Sequence, residues 1–134
     1  MSAKTAYKKY KETQVKTANQ GKLIIMLYQG AIKFLRFAKK SIDEDDINQA
    51  NEALIRAQDI ITELNTTLDE EKGGDIARNL SSLYVYMKRR LMQANLKKDT
   101  EIIDEVENLL AGLLESWKEV ANKSNNENKV EDMA

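Results

Sequence analysis

Residues 22–34 read KLIIMLYQGAIKF, and the six consecutive apolar residues from Leu23 to Tyr28 decide how the whole chain is read. At about 100° per residue, a helical run of six goes right round the cylinder. Setting Leu23 at zero places Leu23, Phe34, Leu27, Ala38, Ile24, Ala31, Leu35 and Tyr28 within an arc of about 140°, enough for one wall of a helical core. Ile32 and Ile25 fall on one flank of that arc, and Met26, Gly30 and Phe37 on the other. Arg36, Gln29, Lys40, Lys22 and Lys33 are left in a polar wedge of about 60°. The segment is a helix apolar over roughly 260°, more than one corner of a helix bundle buries.

The rest of the chain supplies the bundle. Proline is absent and the five glycines include the adjacent pair Gly73 and Gly74, so little interrupts helix over long reaches. The first helix is expected from about Gly21 to Ser41, closed by the acidic turn DEDD at Asp43–Asp46, whose aspartates suit the start of the next helix. A second helix carries Ile47, Ala50, Leu54, Ala57, Ile61, Leu64 and Leu68 in unbroken three-four spacing, with the glycine pair as its expected stop. A third starts near Asp75 with Ile76, Leu80, Leu83, Met87, Leu91 and Ala94. The stretch KKDT, Lys97–Thr100, separates it from a fourth with Ile103, Val106, Leu110, Leu113, Trp117 and Val120. Helices of roughly 21 to 25 residues joined by linkers of about four residues or fewer must alternate in direction. The fold class is all-α, an antiparallel up-down-up-down four-helix bundle. It is expected to have a short N-terminal arm or helix over residues 1–18, the bundle over 19–122, and a polar, disordered tail over 123–134.

Composition excludes more than it specifies. The chain of 134 residues suits one domain, and it has neither cysteine nor histidine. Without histidine there is no phosphotransfer bundle and no Glu-x-x-His di-iron bundle, and nucleophilic triads lack their base. The DEDD turn fails as a calcium loop, with Ile47 at a ligand position and Asn48 where glycine is needed. No catalytic residue, metal or cofactor is expected. A run of six apolar residues is far short of the roughly 20 that cross a bilayer, and no secretion signal is visible, so a cytoplasmic protein without membrane insertion is expected. Charge is segregated: residues 1–40 carry ten Lys or Arg against the single acid Glu12, while residues 41–134 carry eleven against twenty-one. A basic arm can serve nucleic acid or anionic lipid, but this one has no arginine and no glycine-aromatic RNA motif, and a solvated lysine-rich arm is the simpler reading.

The surplus apolar surface carries the functional argument. Besides the flanks of the first helix, the third presents Val85, Met92 and Leu96, spaced seven and four, opposite its core face. These two helices are diagonal in an up-down bundle and cannot cover each other. Contiguous exposed apolar surface marks a partner site. The arm offers Ala3, Tyr7, Tyr10 and Val15 as a partial cover. Candidate partner-binding residues are therefore Tyr10, Val15, Ile25, Met26, Ile32, Phe37, Val85, Met92 and Leu96.

Four motifs in order resemble the flagellin export chaperone family, FliS. They are Tyr10-x4-Val15-x-Thr17-Ala18 leading into Leu23-Ile-x-Met26-Leu27-Tyr28-x-Gly30; Ala57-x-x-Ile60-Ile61-x-Glu63-Leu64-x3-Leu68-Asp69; Asn79-Leu-x-x-Leu83-Tyr84-x-Tyr86-Met87-x3-Leu91-x-x-Ala94-Asn95; and Trp117. One departure is Gln20, where the family often has proline before the Gly21 position. The resemblance implies an antiparallel helical bundle of the bacterial cytosol. It would bind the C-terminal, unstructured segment of newly made flagellin and keep it from polymerising. It would then assist delivery to the flagellar type III export gate, whose components are further possible partners. A wrapped client fits patches on diagonal helices. Nucleic-acid or membrane-surface binding through the arm, and a helical homo-oligomer burying its own patches, are the competing readings. The free protein is expected to be a monomer or weak dimer, and no nucleic-acid partner is expected.

Overall fold

The computed structural model describes the backbone of residues 3–133 and the side chains of residues 20–123. Four helices follow one another: α1 (Ala3–Asp43), α2 (Ile47–Thr66), α3 (Glu70–Lys97) and α4 (Thr100–Met133). Among the described residues α1 packs on α2 and α4, and α3 packs on the same two, so α1 and α3 stand diagonally. This is the expected four-helix bundle.

An aspartate starts each of the last three helices. The Asp46 carboxylate accepts from the Gln49 backbone N–H at 3.1 Å. Asp69 accepts from Glu71 and Lys72 at 3.1 and 3.2 Å, and Asp99 from Glu101 at 2.9 Å. Each satisfies an amide that the first helical turn leaves unpaired and places negative charge at the positive end of the helix. The turns before α2 and α4 close through left-handed residues, Asp45 at φ 59° and Lys98 at φ 52°. The N–H of the residue after each donates back into the preceding helix, Asp46 to the Ser41 carbonyl and Asp99 to the Ala94 carbonyl.

Three boundaries differ from expectation. The first helix does not begin at Gly21 but continues from Ala3, so the arm is the start of α1 rather than an element turning back across it. A lone interior glycine costs only about 1 kcal/mol against alanine, and Gln20, unlike a proline, leaves the hydrogen-bond ladder whole. The second helix ends at Thr66, before the glycine pair. Asp69 and the acids Glu70 and Glu71 start α3 early, and the pair sits inside it as a kink, with Gly74 at φ 53°, ψ −127°. The tail after Lys123, expected to be disordered, prolongs α4 to Met133; no proline or glycine occurs after Gly112 to stop it.

The core is built from Tyr28, Ala31, Leu35 and Ala38 of α1, Leu54, Ala57, Ile61 and Leu64 of α2, Tyr84, Met87, Leu91 and Ala94 of α3, and Ile103, Val106 and Leu110 of α4. Small residues let α1 and α2 approach closely: a Cβ at Gly30 would meet the Ile60 side chain at 3.4 Å. In the centre the hydroxyls of Tyr28 and Tyr84 hydrogen-bond across 2.5 Å, joining the diagonal helices, with ring centroids 6.4 Å apart. Leu23, Ile47, Ile76 and Val120, read as core from their spacing, are exposed. Ile47 opens α2, Ile76 follows the kink, and Leu23 and Val120 lie towards the end of the bundle where α2 has already stopped.

Candidate protein-binding surface

The apolar residues that the core does not use fall along the seams between helices. On α1, Met26, Gly30 and Phe37 share one face, eleven residues from end to end bringing Phe37 within about 20° of Met26. Phe37 opens into a cleft of about 220 Å³ lined by Phe34 of α1 and Gln49, Glu52, Ala53 and Arg56 of α2. That face therefore borders α2. Met26 is 65% exposed.

A second strip borders α2 on its other side. The Lys98 ammonium donates to Asn51 Oδ1 at 2.5 Å and to Asn95 Oδ1 at 2.7 Å, which sets the start of α2 beside the end of α3. One turn along α2 from Asn51 stands exposed Ile55. On α3, Met92 and Leu96 lie at the same level, with Val85 two turns further from Met92. Leu96 is 87% and Met92 58% exposed. On α2 alone Ile55 belongs to no apolar stripe, so its spacing gives no sign of this seam.

The other flank of α1 behaves differently. Ile32 is buried, only 6% exposed, and Ile25 is half-buried. They border α4, and Ile32 forms the floor of a groove of about 390 Å³ with Ala111 and Leu114. Ile32 is therefore covered by α4 except for the edge that floors this groove, because α4 packs over the side of α1 that the helical projection leaves open. Tyr10 and Val15 lie outside the described side chains.

One further cavity, of about 310 Å³, opens at the end of the bundle beside the kink, among Ile24, Leu64, Leu68, Ile76, Leu80, Tyr84 and Trp117. Its residues come from all four helices, and three-four spacing assigns most of them to the core. Only the adjacent Gly73 and Gly74 hint in the sequence that packing is interrupted there.

Electrostatics separate the two sides of the molecule. Among the described residues, every ion pair between helices involves α4. Lys39 of α1 reaches Asp104 at 2.6 Å and Glu107 at 3.4 Å, Arg36 reaches Glu107 at 3.4 Å, and Arg90 of α3 reaches Glu105 at 3.2 Å. Hydrogen bonding to Asp104 holds the Lys39 ammonium above its usual range. Glu107 Oε1 is buried without a well-directed hydrogen bond, so the two cations at 3.4 Å compensate it by charge alone. The ion pair of α2 is internal, Arg56 with Glu52 at 3.3 Å. The seams flanking α2 thus combine exposed apolar side chains with no charge lock between helices among the described residues. Apolar, Met-containing seams of this kind suit an adaptable polypeptide ligand.

The protein is thus a four-helix bundle with exposed apolar seams on either side of α2. Comparison with known proteins places it more closely. A sequence profile described as Flagellar protein FliS matches residues 3–124, and the chain belongs to the FliS family. It is 41% identical over 119 residues to the flagellar secretion chaperone FliS of Bacillus subtilis (strain 168), covering 89% of this chain and 88% of the relative. It is 46% identical over 114 residues to that of Salmonella typhimurium (strain LT2), covering 84% of each. The FliS of Campylobacter jejuni (strain 81116) is 42% identical over 122 residues, covering 91% of this chain and 95% of the relative.

Proposed function

We propose that this protein is a flagellar secretion chaperone that binds the C-terminal, unstructured segment of flagellin in the bacterial cytosol, prevents its premature polymerisation and assists its export. The observation that carries this reading is the pair of exposed apolar seams on either side of α2, in a chain of the FliS family. Met26 and Phe37 line one seam and Val85, Met92 and Leu96 the other. A rigid helix docked in one seam cannot reach the other. An extended chain that crosses α2 and forms short helices where it meets each seam covers both.

The energetics suit a carrier. A disordered client gives up conformational entropy on binding, which trades affinity for reversibility. Burying apolar side chains returns about 25 cal/mol per Å², so two seams hold what one holds weakly. Handover at the export gate then requires only that segments leave one seam at a time.

The test is direct. Val85→Glu with Met92→Glu places two charges in one seam at sites exposed in the free protein, so the fold is expected to keep its unfolding midpoint. Affinity for a C-terminal flagellin peptide is expected to fall by about tenfold or more, since each buried apolar side chain contributes about 1.5 to 3 kcal/mol. Unchanged affinity in the folded double variant would remove this seam from the binding surface.

A further inference from the structure

The α1–α4 groove is a different kind of surface from the seams beside α2. Its floor is apolar, made by Ile32, Ala111 and Leu114, and its α1 rim is cationic, made by Lys33 and Arg36 with Gln29 between turns. On the opposite wall Glu115 is paired with Lys118 at 3.8 Å. The cationic rim is also longer than the groove. Lys22, Lys33, Arg36 and Lys40 lie within the same arc of about 60° on α1, and the span from Lys22 to Lys40 is about 27 Å. Among the described residues Lys22, Lys33 and Lys40 form no ion pair, and Arg36, 70% exposed, uses one edge on Glu107.

We propose that this groove is a second docking surface, which takes an acidic amphipathic helix of a partner protein. A groove between two helices with an apolar floor accepts an apolar helical stripe. Charge complementarity selects what flanks that stripe: carboxylates on one side meet the row of lysines and arginine, while a basic helix meets the same row with repulsion. The length of the row matches a helix of about 18 residues. A phosphate backbone would use the cations and gain nothing from Ile32, Ala111 and Leu114, so the apolar floor favours the helix over a nucleic acid. The groove lies between α1 and α4 and the proposed client seams flank α2, so both surfaces can be occupied at once. The inference stands on the groove itself and does not depend on the identity of the client.

The test uses the full chain and a fluorescein-labelled designed peptide of about 18 residues, with leucines at helical spacing and glutamates on the flanks. A second peptide has lysine in place of glutamate, and a third probe is a labelled oligothymidylate. Anisotropy is expected to register binding of the acidic peptide that weakens as salt rises from about 50 to 300 mM. Lys33→Glu with Lys40→Glu is expected to weaken it about tenfold or more. Val85→Glu with Met92→Glu, on the other side of the molecule, is expected to leave it unchanged, and circular dichroism of both double variants is expected to match the parent. No binding of the acidic peptide, equal binding of the basic peptide, indifference to the lysine substitutions, or loss on changing Val85 and Met92 overturns the proposal. Tighter binding of oligothymidylate through the same lysines also overturns it and reassigns the row to phosphate.

Discussion

At the scale of single residues, the buried phenols of Tyr28 and Tyr84 tie the diagonal helices together through their hydroxyls, beside the cavity that Tyr84 lines. Helical projection places both residues on core arcs, but it gives no sign that hydroxyls 56 positions apart on diagonal helices will meet. That contact depends on the packing distance of α1 across the bundle, which local pattern does not encode. Tyr28→Phe strands the Tyr84 hydroxyl and is expected to cost about 1 to 3 kcal/mol in urea unfolding, whereas Tyr28→Phe with Tyr84→Phe is expected to cost less than the sum of the single changes. Burial pushes both phenols above their ordinary value, and for Tyr84 the bond to Tyr28 adds to it. A group whose pKa rises on folding stabilises the fold fully below its unfolded value, near about 10 for tyrosine, and that contribution is lost as pH rises towards the folded value. The parent is therefore expected to lose stability above that pH more steeply than the double variant; parallel alkaline profiles would contradict the pairing.

At the scale of elements, the four helices and their order follow from three-four apolar spacing and the aspartates of the turns. Their ends follow less well. A helix stops when a competing set of hydrogen bonds is available, and Asp69 offers one five residues before Gly74. The glycine pair therefore became a kink inside α3 rather than the end of α2. Gly74 has a backbone that an L-residue adopts only under strain, and a Cβ at Gly73 would sit 2.7 Å from that of Ala77. Gly74→Ala is expected to destabilise the fold by about 1 to 3 kcal/mol, lowering the urea midpoint with no change in slope; an unchanged midpoint would mean that the kink is not held.

The contact between α3 and α4 makes a pH prediction of the opposite sign. Arg90 first, then Tyr86, hold the Glu105 carboxyl below its ordinary range, through bonds of 3.2 Å and 2.7 Å. A carboxylate with a lowered pKa stabilises the fold above its unfolded value near about 4.3, and the contribution disappears as pH falls through the folded value. Glu105→Gln is expected to lower the urea midpoint slightly at neutral pH, the pair being solvent-screened, and to leave it unchanged in strong acid. An equal loss at both pH values would show that the residue acts by packing.

At the scale of the whole molecule, the sequence distinguishes surplus from core on α3, where Val85, Met92 and Leu96 stand opposite the buried face and are exposed. On α1 it locates Met26 and Phe37 correctly but cannot tell which flank a neighbour covers. Ile32 is buried because α4 leans over it, and Leu23 is exposed towards the end where α2 has stopped. The two seams around α2 emerge only when the register of α2 against its neighbours is known, since each seam takes residues from two helices. Under the proposed function that geometry calls for an extended client rather than a single helix, and calorimetry of the full protein with a C-terminal flagellin peptide addresses it most directly. Coupled folding onto two apolar seams predicts binding with a large negative heat-capacity change and little change in affinity between low and moderate salt. Absence of binding at high micromolar concentration, or an affinity that collapses with salt while the heat capacity stays flat, would contradict it.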